Sequence, residues 1–407
     1  MEAQMPWRVS GVMSERLRFV ERYKAGESMS ELCREFGISR KSGYKFVERF
    51  ERWGEAGLLD SSRRPRHIGT RTPEALVEQI VALRAKHPTW GPRKLRRVLV
   101  QAAPDVRWPC RSTFAAILQR KQLSRAPRRR RTIRLYGKPL VRVHACNEVW
   151  CIDYKGQFKL GNGRYCYPLT VTDEYSRYIL VCEGFESISG ADVERSLLVA
   201  FEKYGLPRRM RSDNGSPFAS SRSTFGWTRF TPWLAQLGIE HERIEPAHPE
   251  QNGRHERMHR TLKAETTRPA EPKLFAQQVR FDAFRDTFNT KRPHEALGDA
   301  TPASVYEPSP RRLPKTIPAL RYPLHDLEVR VLQGGKVKPP RMPAFNLSAS
   351  LEGQVVGLRE LAASRWLVTF ATHDLGIYDG QARSFEPTEC QSSDASTKKE
   401  RKKPTRD

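Results

Sequence analysis

The sequence predicts a multidomain fold: all-α units on the N-terminal side, a mixed-sheet α/β core in the middle and a small all-β unit towards the C-terminal end. Three observations predict it. Apolar residues recur at helical spacing as far as Leu123, give way to β-formers from Glu148, and return to short alternating runs after Tyr322. Basic, proline-containing stretches separate these zones. A chain of 407 residues is long enough for several domains and a sizeable buried core.

The first helical zone holds Leu17, Val20 and Tyr23 on one helix, Met29 to Phe36 on a second, a turn at Gly37-Ile38-Ser39 and a third helix from Arg40 to Trp53. Ser39 is a good N-cap. A short helix, a glycine turn and a capped basic helix read as helix-turn-helix. Arg40, Lys41, Tyr44 and Lys45 then lie where such a helix meets DNA. A second helical zone follows, with Leu76, Ile80 and Leu83 in phase, Pro92 in a first helical turn, a short extended piece at Val106 to Trp108, and a helix opened by Arg111 and Ser112. It reads as a second helix-turn-helix or a winged-helix unit. Arg128 and Arg129 belong to a charge run expected to be an extended tether able to follow a phosphate backbone.

From Glu148 the pattern is three strands (Val149 to Lys159, Tyr165 to Thr172, Tyr178 to Phe185), the first two joined by a Gly161-Asn162-Gly163 turn. An amphipathic helix over Ala191 to Tyr204, a short strand over Arg209 to Ser212, a helix within Trp227 to Leu237, a strand over Ile239 to Ile244 and two more helices complete the core. Residues Phe288 to Tyr306 are too broken by proline for one helix and read as an ordered arm, with Pro308 to Pro318 a linker. Expected boundaries are 14–60 and 72–123 for the helical units, 124–145 for a basic linker, 146–306 for the core, 320–387 for a small β-barrel and 388–407 for a disordered basic tail.

Composition narrows the partner. A formal charge of +26 and a pI near 10.1, with basic residues spread through the chain, point to a phosphate-rich partner, and the helix-turn-helix reading makes double-stranded DNA the expected one. Seven cysteines without a Cys-x-x-Cys pair fit free thiols in a reducing compartment, and His144, Cys146 and Cys151 match no zinc spacing. No signal peptide pattern and no bilayer-length apolar run are present, so the expected place is the bacterial cytoplasm, with the nucleoid.

Three short pieces carry the chemistry: Trp150-Cys151-Ile152-Asp153, Arg211-Ser212-Asp213-Asn214-Gly215, and the helix from Gln251-Asn252-Gly253 through Glu256 to Lys263. Each offers one carboxylate. Phosphodiester exchange needs an activated oxygen nucleophile and a stabilised leaving oxygen, and two divalent cations about 4 Å apart supply both. Hard cations such as Mg²⁺ take oxygen ligands, so three carboxylates suffice. No Cys or His cluster is required, and none is evident in the sequence. At 100° per residue Glu256, Arg260 and Lys263 share one helix sector, with Met258 and Leu262 opposite. The two cations suit phosphates beside the site.

These pieces, with Ser212-Asp213-Asn214-Gly215, Asn252-Gly253-x-x-Glu256 and Arg292-Pro293-His294, resemble bacterial insertion-sequence transposases of the DDE, retroviral-integrase superfamily. The resemblance runs from about Ser14 to Glu386. It implies a ribonuclease-H-like integrase catalytic core and a catalytic, metal-binding triad of Asp153, Asp213 and Glu256. It also implies two Mg²⁺ ions per site with Mn²⁺ as a substitute, recognition of terminal repeats, end cleavage, transfer of the 3′-hydroxyl into target DNA, and a homo-oligomer on DNA. The Asp213-to-Glu256 interval is longer than usual for the family, with Ser220 to Trp227 as the insertion, expected as a loop near DNA. Glu250 competes with Glu256 but precedes the helix start, and Asp173 and Glu174 read as a structural turn. Two alternatives are a catalytically silent DNA-binding regulator derived from a transposase, and a nuclease that cuts without joining. The intact carboxylates argue against the first and the paired helix-turn-helix units against the second.

Overall fold

The computed structural model describes residues 11–60, 72–124, 142–245 and 248–388, the side chains of Val12, Pro249 and Glu250 excepted. Arg128 and Arg129, most of the expected basic linker, the tail beyond Thr388 and the Glu250 carboxylate lie outside the described residues. Two compact units divide the chain, Met1–Thr72 and Pro73–Asp407.

Among the described residues the first unit has three α-helices, α1 (Val12–Lys24), α2 (Met29–Glu35) and α3 (Arg40–Trp53), followed by a 3-10 turn over Gly54–Leu58. Phe19, Val20, Leu32, Phe36, Val47 and Leu58 form its core. Gly37 turns the chain at φ +64°, and the Ser39 hydroxyl accepts the Ser42 N–H at the start of α3. Gly43 lets α3 press on its neighbours: a Cβ there would sit 2.7 Å from Met29 Sδ and 2.9 Å from Cys33 Sγ. That seating turns Arg40, Lys41, Tyr44 and Lys45 to the exposed side.

The second unit opens with α4 (Glu74–Lys86), α5 (Pro92–Ala102) and α6 (Arg111–Arg120), packed around Ile80, Trp90, Leu95 and Phe114. The extended piece expected at Val106 to Trp108 forms no strand. Trp108 instead follows a turn and is buried, its indole N–H donating to the Ala103 carbonyl. No wing accompanies these helices among the described residues.

The core sheet contains β1 (Val149–Tyr154), β2 (Phe158–Lys159), β3 (Tyr165–Asp173), β4 (Ile179–Phe185), β5 (Arg209–Ser212) and β6 (Glu240–Arg243). Its order is β4-β3-β1-β5-β6, with β2 pairing the start of β3. The β4, β3 and β1 strands run antiparallel, while β1, β5 and β6 run parallel. Helices α7 (Gly190–Tyr204) and α8 (Phe230–Gln236) cover one face over Trp150, Ile152, Leu169, Val171 and Met210. Helices α9 (Gly253–Thr266) and α10 (Leu274–Asp286) cover the other over Cys166, Ile179 and Cys182. The expected single strand from Val149 to Lys159 is broken after Tyr154, and the helix expected within Trp227 to Leu237 is only α8.

After α10 a π-turn spans Thr287–Lys291. Asn289 on it imitates a strand neighbour, accepting the Ile179 N–H and donating to the Ile179 carbonyl, each at 2.9 Å. Arg292 is buried and pairs with Glu265 of α9 at 2.9 Å, while Arg93 of α5 pairs with Glu295 and Asp299. Part of the stretch expected as a linker is strapped down: Ser309 donates to the Leu206 carbonyl and Arg311 to those of Pro207 and Gly238. Gly205, at φ +79°, makes room for it, since a Cβ there would meet the Ser309 carbonyl oxygen at 2.6 Å.

The C-terminal strands are β7 (Leu327–Arg330), β8 (Lys336–Val337), β9 (Phe345–Asn346), β10 (Val355–Ala362), β11 (Arg365–Phe370), β12 (His373–Asp379) and β13 (Ser384–Pro387). They form an open antiparallel sheet in the order β13-β12-β11-β10-β7, with β8 and β9 as a separate two-stranded piece. The expected barrel does not close among the described residues. Phe345 of β9 instead stacks on Tyr378 and Phe385, covering the sheet's apolar face.

Candidate active site

Strand alternation decides what β1 presents. Trp150 and Ile152 point into the α7 side, so Cys151 and Asp153 face α9. Cys151 pairs with Arg211 in the parallel β1–β5 ladder, so Asp153 and Asp213 each come two residues further along neighbouring strands. Asp213 follows the end of β5, where its Oδ1 accepts the Gly215 N–H at 3.1 Å. The Asn214 amide donates to the Ile244 carbonyl and pins this turn to the chain beyond β6. A Cβ at Gly215 would crowd the Asp213 carboxylate at 3.1 Å, so glycine keeps that carboxylate open. A cleft of about 360 Å³ beside the ends of the two strands is lined by Asp153, Lys155, Tyr167, Asp213 and Phe218, among others.

Helix α9 crosses the same face. Met258 and Leu262 are buried, and Glu256, Arg260 and Lys263 are exposed, the division helical spacing predicted. Arg254 in its first turn pairs with the buried Glu174 at 2.9 Å, and Arg211 approaches the same carboxylate. Asp173 accepts from the Asn147 N–H, the Ser176 N–H and the Ser176 hydroxyl. The Asp173–Glu174 pair is thus consumed in holding the β3–β4 turn and the start of α9.

Electrostatics tie the three carboxylates together. Burial, then the Asp213 charge, push the Asp153 carboxyl up to about 7; Lys155 opposes this and Glu256 adds to it. Lys155 is itself pushed down by burial and by Lys263, so two cations border the carboxylates. Hard oxygen donors, crowded until one holds its proton near neutrality, suit a divalent cation.

A histidine pair was missed by the sequence reading. His255 and His259 are buried on α9, and one ring nitrogen of each lies with an Asp153 oxygen inside a group spanning no more than 4.8 Å. A His cluster therefore does exist beside the site. The legible signal was the pair's four-residue spacing astride Glu256, which puts both rings on one helix face. Burial pushes His255 down to about 3, and burial with the neighbouring His255 pushes His259 further down.

Of the residues expected to meet DNA, Arg40, Lys41, Tyr44, Lys45, Arg111, Ser112, Arg260 and Lys263 are all exposed. The Ser220 to Trp227 insertion is not a free loop. Phe225 and Trp227 enter the apolar core of the C-terminal sheet, and Thr224 donates to the Leu347 carbonyl.

Two family models described as integrase core domain match residues 143–249 and 237–302. A helix-turn-helix domain model matches 15–66 and a homeodomain-like model 42–118. The insertion element IS476 uncharacterized 39.2 kDa protein of Xanthomonas euvesicatoria is 31% identical over 251 residues, 61% of this chain and 69% of that protein. The insertion element IS407 uncharacterized 31.7 kDa protein of Burkholderia multivorans is 27% identical, over 69% of this chain and 91% of its own length. Among solved structures, a simian T-cell lymphotropic virus intasome chain is 16% identical with a TM-score of 0.36, covering 76% of this chain and 95% of that one. The HTLV-2 integrase catalytic core in complex with magnesium is 16% identical with a TM-score of 0.33, covering 41% and 100%.

Helix-turn-helix segments ahead of an integrase core define the transposase and integrase class of DNA-binding proteins. Within it, this chain belongs to the bacterial insertion-sequence transposases of the DDE, retroviral-integrase superfamily. No helix among the described residues is long and apolar enough to cross a membrane.

Proposed function

We propose that the protein is an active DNA transposase that binds the terminal repeats of its element, cleaves the ends and joins the 3′-hydroxyl to target DNA. One observation carries the reading: Asp153 and Asp213 line one cleft with Lys155, and burial with the charges of Asp213 and Glu256 raises the Asp153 carboxyl there. A regulator that only binds DNA gains nothing from holding a carboxylate so far from its ordinary range.

Asp153, Asp213 and Glu256 are the residues that would hold two Mg²⁺ ions, or Mn²⁺ in their place. When bound, such ions activate the attacking oxygen and stabilise the leaving one. The chain's own groups do the rest. Arg260 and Lys263, one and two turns along α9 from Glu256, receive flanking phosphates. Arg40, Lys41, Tyr44 and Lys45 on α3, and Arg111 and Ser112 on α6, engage terminal-repeat DNA, with Arg128 and Arg129 following the backbone. Two ends must be held together, so the working form is a homo-oligomer on DNA. The domain boundaries given above, with an open sheet rather than a barrel at 320–387, are proposed as its working parts, in the bacterial cytoplasm.

The test is strand transfer: purified protein, Mg²⁺, a labelled duplex carrying the element's end and a supercoiled plasmid. The expected result is label joined to plasmid by the wild type and lost in Glu256→Gln with duplex binding retained. Joining that survives Glu256→Gln removes Glu256 from the triad, and binding without joining under all conditions favours the regulator.

A further inference from the structure

The hydrogen bonds around Thr170 determine where the protons of the His255–His259 pair sit. Thr170 lies on β3 in register with Asp153. Its Oγ1 is 3.2 Å from the Asp153 main-chain oxygen, 2.7 Å from His255 Nε2 and 2.6 Å from His259 Nε2. A hydroxyl has one hydrogen and two lone pairs. The main-chain oxygen can only accept, so the hydrogen goes to it. Both lone pairs then accept, and each imidazole carries its proton on Nε2. His255 Nδ1 accepts in turn from the Thr172 hydroxyl at 2.9 Å, so both ring nitrogens of His255 are used.

His259 differs. Its Nδ1 keeps a lone pair, and that nitrogen faces Asp153 Oδ2 at 3.6 Å, too long for a hydrogen bond. With Asp153 ionised, two electron-rich atoms therefore confront one another beside the cleft that Asp153 lines. A divalent cation relieves this, because metal–nitrogen and metal–oxygen bonds of about 2.1 Å can span such a gap, and one ring nitrogen of His259 lies with an Asp153 oxygen in a group spanning no more than 4.8 Å.

We infer that His259, through Nδ1, is a further protein ligand beside Asp153 for the divalent cation of this site, while His255 is not a ligand and serves to orient Thr170 and His259. The inference rests on the metal-dependent reading above and deepens it. A single imidazole among carboxylates moves the site's preference away from Mg²⁺ towards ions that accept nitrogen. Thr170 and Thr172 then form the outer layer that sets the tautomer and aim of the ligating ring.

The experiment uses the full-length protein and Mn²⁺ alone, without DNA. Electron spin-echo modulation of bound Mn²⁺ reads nitrogen coordination directly, and titration gives the affinity. The wild type should show imidazole nitrogen coupling. His259→Gln keeps a donor near the Nε2 position for Thr170 but has no Nδ1, so it should lose the coupling and bind Mn²⁺ at least about tenfold more weakly. His255→Gln should retain the coupling. Circular dichroism melting checks that both variants fold, and if His259→Gln does not, the His255→Gln spectrum decides: coupling retained there supports His259, and coupling lost overturns it. Mn²⁺ bound by the wild type without nitrogen coupling, and lost in Asp153→Asn, overturns the His259 assignment and leaves the carboxylate site standing. Mn²⁺ binding unaffected by Asp153→Asn, or no saturable binding at millimolar Mn²⁺, overturns the metal reading itself.

Discussion

The two faces of the core sheet solve opposite problems. On the α7 side Trp150, Ile152, Leu169, Val171 and Met210 meet Val193, Leu197 and Phe201 in an apolar layer. Beside Asp153 the α9 side is polar almost throughout, with Thr170, Thr172, His255, His259, Arg211 and Glu174 all buried. The first face stabilises by removing apolar surface from water and tolerates no gap. The second must satisfy its polar groups individually, and it does so largely with side-chain pairs far apart in sequence, Arg211 Nη2 being left without a hydrogen-bond partner. Successive residues of β1 serve the two faces in turn, so one strand supplies both the stability and the site.

Four substitutions test that contrast, from the largest expected effect to the smallest. Phe201→Ala empties the dry face, where Phe201 lies between Trp150 and Trp233, and should cost roughly 3–5 kcal/mol in urea unfolding while leaving Mn²⁺ affinity unchanged. A cost below 1 kcal/mol, on the order of a surface change, would mean this face is loosely packed.

Asp153→Asn should do the reverse and stabilise the metal-free protein. The carboxyl ionises near 3.8 in the unfolded chain and near 7 when folded, so metal-free stability falls as pH rises across that window, and the full cost persists above it. The variant escapes this cost, about 2–4 kcal/mol above neutrality, and its advantage should vanish towards the acid end of the window. A gain independent of pH would contradict a strained carboxylate. Thr172→Val removes the donor to His255 Nδ1 and should cost about 1–3 kcal/mol, because a buried nitrogen loses its partner. Arg260→Ala, on the exposed side of α9, should change stability by no more than about 0.5 kcal/mol. It should also lower the slope of DNA affinity against salt by about one phosphate contact. A large stability loss there would show that the exposed cations brace the fold.

Much of the dry face was readable from the order of residues alone. Trp150 and Ile152 alternate with Cys151 and Asp153, and Val193, Leu197 and Phe201 keep helical phase, so local periodicity carried the information. The polar face was only half readable. The three carboxylates stood out through their contexts, but His255 and His259 point to partners on β3, whose place beneath α9 depends on the whole sheet. The Ser220 to Trp227 segment failed for the same reason: Phe225 and Trp227 are conspicuous, yet the surface that buries them is built from strands more than a hundred positions later. The barrel was over-read, because alternating short strands specify pairing without specifying closure.

That aromatic segment also limits how freely the chain can be cut or recombined. A fragment ending after the integrase core would carry Phe225 and Trp227 bare on its surface, an adhesive patch about a dozen residues beyond Asp213. The C-terminal sheet is in this sense a socket for a plug carried by its own upstream neighbour. A frameshift or early stop that removes it would yield a sticky, aggregating product rather than a smaller working enzyme. Exchange of this sheet between relatives would have to carry its matching aromatic plug along with it.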